Sequence, residues 1–533
     1  YKAAWKIRHA TLKAKICVAR LHSTVTIQLV KFLLLLVIQV RMIQFKLIVL
    51  SFSIVWGGTQ GNTYQGYLEK LSLTTKTFKL IQSGETACSE ILSQSIVEEI
   101  AGQQKIVNKI IQSIGKHGKF RHQVWNELAT FVDRFGSRMS GTKNLEDSID
   151  YIINISSNKG FDKVYTENAT IPNWQRGKES CRMVSPRDHA ISMLGLGHSV
   201  GTPEEGITAK AIVVDSFEDL ELRSTCVQGK IVVFNQQFED YFKSVKYRIR
   251  GASLAAKYGA VAALVRSITP FSMNSPHTGT TQYDEDQPKI PVAAITIEDA
   301  QMMHRMQKRG ENITLHLYME AHTDGEVISR NIIMDTYGST LPNETVIISG
   351  HIDSWDIGQG AMDDAGGSFI SLMAGHLLNK LNLRPKRTVR VVLWTGEELG
   401  LWGARQYYKD HPELNTTLSV ALESDSGTFK PLGLTFAGSH NASCVVAEVL
   451  KLLKPIGASK LQKHPSPVPD LSLWANDGVP VAGLHNQNDE YFWFHHTGAD
   501  SLELENPGDL DEGMVVFAAA AYVLADLTDM LPR

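Results

Sequence analysis

The chain has 533 residues, of which 43% are hydrophobic and 20% charged, with a formal net charge of -3. That is ordinary for a globular protein of two or three domains. So mild a charge gives no support for nucleic-acid binding or for a basic patch on a membrane surface.

Residues 1–41 are basic and patternless. Met42-Ile-Gln-Phe-Lys46 then leads into the apolar run 47–56, followed by Gly57 and Gly58. A short basic start, an apolar stretch and a small-residue exit predict a secretory signal peptide at 42–58. Segment 1–41 is then expected to be upstream read-through. The rival reading is a membrane anchor over 26–56. Lys31, Arg41 and Lys46 interrupt it, and charge at bilayer depth is costly, so no stable anchor is expected. Sequons at Asn154, Asn168, Asn312, Asn343, Asn415 and Asn441 also fit export. With Cys17 set aside, Cys88, Cys181, Cys226 and Cys444 remain. Their spacing is unlike a zinc ribbon, and disulfides and free thiols both stay open.

Residues 59–105 are polar and weakly patterned, which suits a leader or a propeptide. Helical spacing begins at Ile106 and recurs over 124–132 and 145–155, with a loop at 134–141 between them. Short apolar runs at 211–215, 229–235, 261–265 and 290–295 read as strands. Helix-like stretches lie at 253–258 and 298–307. Together they predict an inserted α/β lobe over 185–328. After Asn331, buried-type strands at 345–349, 388–394 and 418–422 alternate with helical stretches, ending in an apolar helix at 514–527. The expected fold is α/β. A mixed, mostly parallel sheet carries helices on both faces and is built from 106–184 and 329–533.

Ligands of open α/β sheets bind beyond the carboxyl ends of the strands. Three successive strands here end in ligand-type residues: His351 and Asp353, then Glu397 and Glu398, then Glu423 and Asp425. Gly360-Ala-Met-Asp363-Asp364-Ala-Gly366-Gly367 opens a helix, and Phe494-His495-His496-Thr-Gly-Ala-Asp500 adds imidazoles. Any one of these has an ordinary explanation, such as an N-cap at Asp363 or Asp364. Their convergence on one sheet edge favours a metal site, with imidazole plus carboxylate suiting zinc. Paired ions need an anionic bridge, and Asp363 is the candidate.

His351-x-Asp353, Gly360-Ala-Met-Asp363-Asp364, Glu397-Glu398, Asp425 and His496-Thr-x-x-Asp500 resemble the motifs of the co-catalytic two-zinc aminopeptidase and glutamate carboxypeptidase family. The resemblance runs from about Ile106 to the C-terminus. It implies two zinc ions per chain. His351 and Asp425 would hold one, Glu398 and His496 the other, and Asp363 would bridge. His495 could exchange roles with His496. Glu397 would be the general base. Asp353 would hydrogen-bond His351 and fix its tautomer. The resemblance further implies a secreted exopeptidase, with the endoplasmic reticulum, Golgi and lysosome as further locations. It implies a homodimer acting on short peptides with a free C-terminus, dipeptides in particular. An aminopeptidase would use the same metal site. A receptor-like relative of this fold would have lost ligands that this chain keeps, and a glutaminyl cyclase would use a single zinc.

Overall fold

The structure is a computed structural model that describes residues 87–465 and 468–533. The expected read-through segment, signal peptide and most of the expected leader lie outside the described residues. Among the described residues the strands form two eight-stranded sheets.

The first sheet runs in the order Lys163–Gln175, His322–Thr336, Arg387–Trp394, Leu341–His351, Leu418–Glu423, Val481–Asn486, Pro431–Ala437, Lys460–Lys463. Its central strands, from Arg387–Trp394 to Val481–Asn486, are mutually parallel. Antiparallel pairs flank them. Side chains alternate across a strand, so one strand feeds two cores. Val346 and Ile348 enter the core shared with helices Gly366–Lys380 and Pro507–Asp526. Ile347 enters the opposite core, with Trp394, Tyr407 and Trp474. Helix Pro507–Asp526 is buried on nearly every side over residues 513–525, where its run without a charged residue permits it.

The second sheet takes its strands from Glu179–Ser185 through Thr314–Met319. Its parallel centre comprises Ile207–Val214, Ile231–Phe234, Ala262–Arg266 and Val292–Ile295. Helices Lys246–Ala256 and Ile297–Lys308 pack beside it. The strand Glu179–Ser185 thus precedes the expected start of the lobe, and His322–Thr336 already belongs to the first sheet.

From Cys88 onward the expected leader or propeptide is packed on the fold. Helix Gln94–Gly102 buries Ile100 in the first core, and a Cys88–Cys444 disulfide ties this segment to helix His440–Leu450. Few apolar residues do this packing, so the pattern is weak in the sequence. Cys181 is a buried free thiol that burial pushes up to about 12, which leaves it unreactive.

Residues 134 and 135 of the expected loop close helix Gln123–Phe135, and the loop that follows has a structural task. Arg138 is fully buried, and its guanidinium donates to four carbonyls: Ile352 at 2.8 Å, Gly136 at 2.6 Å, Gln359 at 2.7 Å and Gly360 at 2.8 Å. It thereby pins the end of strand Leu341–His351 to the segment that precedes Asp363. Arg138→Met keeps comparable bulk but leaves those carbonyls without a donor. Each buried polar group left unpaired costs roughly 1–3 kcal/mol. Thermal unfolding should show a loss of about 3 kcal/mol or more, and an unchanged midpoint would contradict this role.

Candidate metal centre

Parallel strands end on one sheet edge, and the register fixes what meets there. His351 pairs with Trp394, and Ser349 pairs with Glu423. Glu397 and Glu398 follow Trp394 by a few residues, and Asp425 follows Glu423. Asp363 arrives on the segment Ala361–Ala365, which Asp500 holds in place. The Asp500 carboxylate accepts the N–H groups of Ala361 at 3.0 Å, Met362 at 2.8 Å and Asp363 at 3.1 Å. Gly367 lets the following helix approach the third strand end. A Cβ there would lie 1.9 Å from the Ser424 carbonyl oxygen. The peptide between Asp363 and Asp364 is cis.

Asp363 is the centre of the cluster. Its Oδ1 lies 3.2 Å from His351 Nε2, and its Oδ2 lies 3.3 Å from His496 Nε2. Asp425 Oδ1 is 3.8 Å from His351 Nε2, and Glu398 Oε2 is 3.1 Å from His496 Nε2. Ligand atoms of His351, Asp363 and Asp425 all lie within 4.8 Å of one another, as do those of Asp363, His495 and His496. His495 stacks on His496 with ring centroids 3.5 Å apart, and its Nε2 is 3.5 Å from Asp363 Oδ2. Only His496 of the two also meets Glu398.

Two sequence expectations change. Asp364 caps no helix: helix Gly366–Lys380 has no side-chain cap, and Asp364 Oδ2 instead accepts the backbone N–H of His351 at 3.0 Å. The turn before the helix directs Asp364 back toward the strand. His351 Nδ1 faces the backbone carbonyl of Asp353 at 3.0 Å, while the Asp353 carboxylate is 3.6 Å away, too long for a hydrogen bond. That carboxylate accepts instead from the N–H groups of Glu397 and Glu398, at 3.1 and 3.3 Å, and from Ser140 Oγ at 2.9 Å. Asp353 therefore positions the two glutamates.

The cluster is short of positive charge. Burial raises Glu398 to about 7 and Asp500 to about 7, with Asp363 adding repulsion at both. Burial likewise raises Asp364, Glu397, Glu423 and Asp470. Burial opposes charge on His351, yet the Asp353, Asp363 and Asp425 carboxylates outweigh it and raise its pKa. Burial also opposes charge on His496, and Glu398 and Asp363 still raise it to about 9. Asp363 Oδ2 and Glu398 Oε1 are buried and take part in no well-formed hydrogen bond. Divalent cations satisfy such oxygens and supply the missing charge, so these residues fit a metal centre.

A cavity of about 490 Å³ opens on this centre, lined by Glu397, Glu398, Asp363, Asp425 and His496 from the first sheet's side. Tyr241, Arg248, Thr280 and Gln282 line it from the second sheet's segment. Nothing in the sequence marked Arg138, Tyr241 or Arg248, because each gains its role only through contacts distant in the chain.

The pattern of the family described as Peptidase family M28 matches residues 331–521. Mouse carboxypeptidase Q is 45% identical over 440 residues, covering 83% of this chain and 93% of that protein. The crystal structure of a peptidase M28 precursor from Shewanella amazonensis is similar with a TM-score of 0.76 and 32% identity, covering 81% of this chain and 99% of that one. BSAP, a zinc aminopeptidase from Bacillus subtilis, shares the fold with a TM-score of 0.60 at 21% identity, covering 77% of this chain and 99% of its own. The chain belongs to peptidase family M28, within its carboxypeptidase Q branch, and is a zinc metallopeptidase.

Proposed function

We propose that the chain is a two-zinc exopeptidase that hydrolyses short peptides with a free C-terminus, dipeptides among them. The carrying observation is the placement of Asp363, whose two oxygens face two separate ligand groups. His351 and Asp425 would hold one ion, Glu398 and His496 the other, and Asp363 would serve both. Bound there, zinc supplies Lewis-acid polarisation of the scissile carbonyl and lowers the pKa of a water. Glu397 lines the cavity, and its backbone is fixed by Asp353. Its carboxylate takes the proton from the attacking water and returns it to the leaving amine. The raised Glu397 pKa suits a group that must both accept and release a proton. The substrate class follows from the similarity to carboxypeptidase Q.

Export and a homodimer belong to the same proposal. No helix among the described residues is long and apolar enough to cross a membrane. The sequon residues Asn154, Asn168, Asn312, Asn343 and Asn441 are exposed. Asn415 is half-buried and donates to Asp477 Oδ2 at 2.8 Å. Secreted protein should therefore carry N-glycans at the five exposed sites and lack residues 1–58. Glycopeptide mapping with N-terminal sequencing checks this, and an unglycosylated chain beginning within 1–41 would contradict export.

Glu397→Gln should retain zinc and lose roughly 10²–10⁴-fold in kcat. Near-wild-type turnover in the zinc-loaded variant would remove Glu397 from its role.

Metal analysis separates the ligands. Asp363→Asn should weaken both sites, Asp425→Asn chiefly the His351 site, and His496→Ala chiefly the Glu398 site. Asp364→Asn keeps an acceptor for the His351 N–H and should spare both ions. Loss of both ions in Asp364→Asn, with both kept in Asp363→Asn, would overturn the bridge.

A further inference from the structure

Segment 277–281 lies between strands Ala262–Arg266 and Val292–Ile295 of the second sheet, and that sheet's residues hold it along its length. The His277 N–H donates to Ser267 Oγ at 2.9 Å, and Ser267 Oγ donates in turn to the Ile295 carbonyl at 2.7 Å. Thr278 Oγ1 donates to the Gly195 carbonyl at 2.8 Å. The Gly197 N–H donates to the Gly279 carbonyl at 3.0 Å, and the Thr281 N–H donates to the Gly197 carbonyl at 2.9 Å.

From this anchored segment, two consecutive residues reach two consecutive carbonyls. His277 Nδ1 lies 2.7 Å from the His495 carbonyl oxygen, and the Thr278 N–H donates to the His496 carbonyl at 3.0 Å. The His495 carbonyl has no hydrogen to give, so His277 donates from Nδ1. His277 is 2% exposed, and its Nε2 is buried with no hydrogen-bond partner. A buried polar atom left unpaired costs free energy. Packing alone therefore gives no reason for an imidazole at this position, whereas the Nδ1 donor does.

The two bonds fall where the chain is strained. His496 has φ 62, in the left-handed region that a residue with a Cβ enters at a cost of roughly 1–2 kcal/mol. Helix Tyr491–Phe494 stops short of it, so neither helix nor strand includes His495 or His496. This turn presents His496 Nε2 to Glu398 Oε2 at 3.1 Å and to Asp363 Oδ2 at 3.3 Å. His351, by contrast, ends strand Leu341–His351, where the sheet ladder fixes its backbone.

We infer that His277 is a positioning residue for the metal centre: its Nδ1 hydrogen bond braces the turn at His495 and His496, and so sets the affinity of the ion assigned to Glu398 and His496 without affecting the ion assigned to His351 and Asp425. This rests on the two-ion reading above.

The test measures zinc affinity of the full chain by competition with a chelator. His277→Leu keeps apolar bulk and loses the donor. It should weaken one of the two ions by about 10–100-fold, the usual cost of losing a group that orients a ligand, and leave the other nearly unchanged. His277→Asn places an amide N–H where the Nδ1 hydrogen stands and should restore the affinity; for a side chain that merely fills space, Asn would be the worse replacement. Combined variants locate the effect. With Asp425→Asn, His277→Leu should weaken the ion that remains. With His496→Ala, it should leave the remaining ion unchanged. Equal weakening of both ions, with a lower unfolding midpoint of the metal-free chain and no rescue by Asn, would give His277 a general structural role and overturn the inference. Unchanged affinity for both ions in His277→Leu would overturn it as well. A single ion on the wild type would sink the two-ion reading instead. His277 would then stand only if Leu weakens that ion and Asn restores it.

Discussion

One carboxylate has to sit between two imidazoles, and much of the surrounding structure serves that placement. Asp363 turns one oxygen to His351 and the other to His496. Its segment has no regular ladder to hold it, so side chains do the work. Asp500 gathers three backbone N–H groups beneath it, and Arg138 clamps the carbonyls of Gln359 and Gly360 just before it. Asp364, the next residue, secures the strand end that carries His351. The same residues crowd negative charge into a dry space. The raised pKa values of Glu398 and Asp500 record how poorly protein alone balances it.

The parts of the fold legible in the sequence are those where burial is complete on both faces. The strands Leu341–His351, Arg387–Trp394 and Leu418–Glu423 are legible from apolar stretches such as 346–348, 391–394 and 420–422, because helices cover both sides of a parallel sheet. The strands Lys163–Gln175 and His322–Thr336 did not. They pair at the sheet's edge and carry Lys163, Glu167, Asn168, Asp324 and Glu326 on exposed or half-buried positions, so polar residues interrupt the pattern. Helix Gln94–Gly102 escaped notice for a related reason, since it inserts one deeply buried residue, Ile100.

The site shows the same division. Its ligand-type residues were legible because three strands deliver them to one edge, and topology then brings them together. Their supports were not. Asp353 reads as a partner for His351, yet its carboxylate spans to the next strand's exit and orders Glu397 and Glu398. Arg138 is one arginine in a loop, and Arg248 one of two arginines on its helix. Neither spacing nor composition reports a contact made across hundreds of residues.

The second sheet's segment also reaches the histidines of the candidate metal centre directly. His496 Nδ1 lies 3.2 Å from the carbonyl of Thr278, and the His495 carbonyl lies 2.7 Å from His277 Nδ1. A carbonyl can only accept, so the Thr278 contact obliges His496 to carry its hydrogen on Nδ1 and leaves the Nε2 lone pair for an ion. The insertion is thus part of the electronic definition of the centre. Shortening or exchanging the loop around Thr278 would release the tautomer of His496, so the second sheet's segment constrains the candidate metal centre it overlooks.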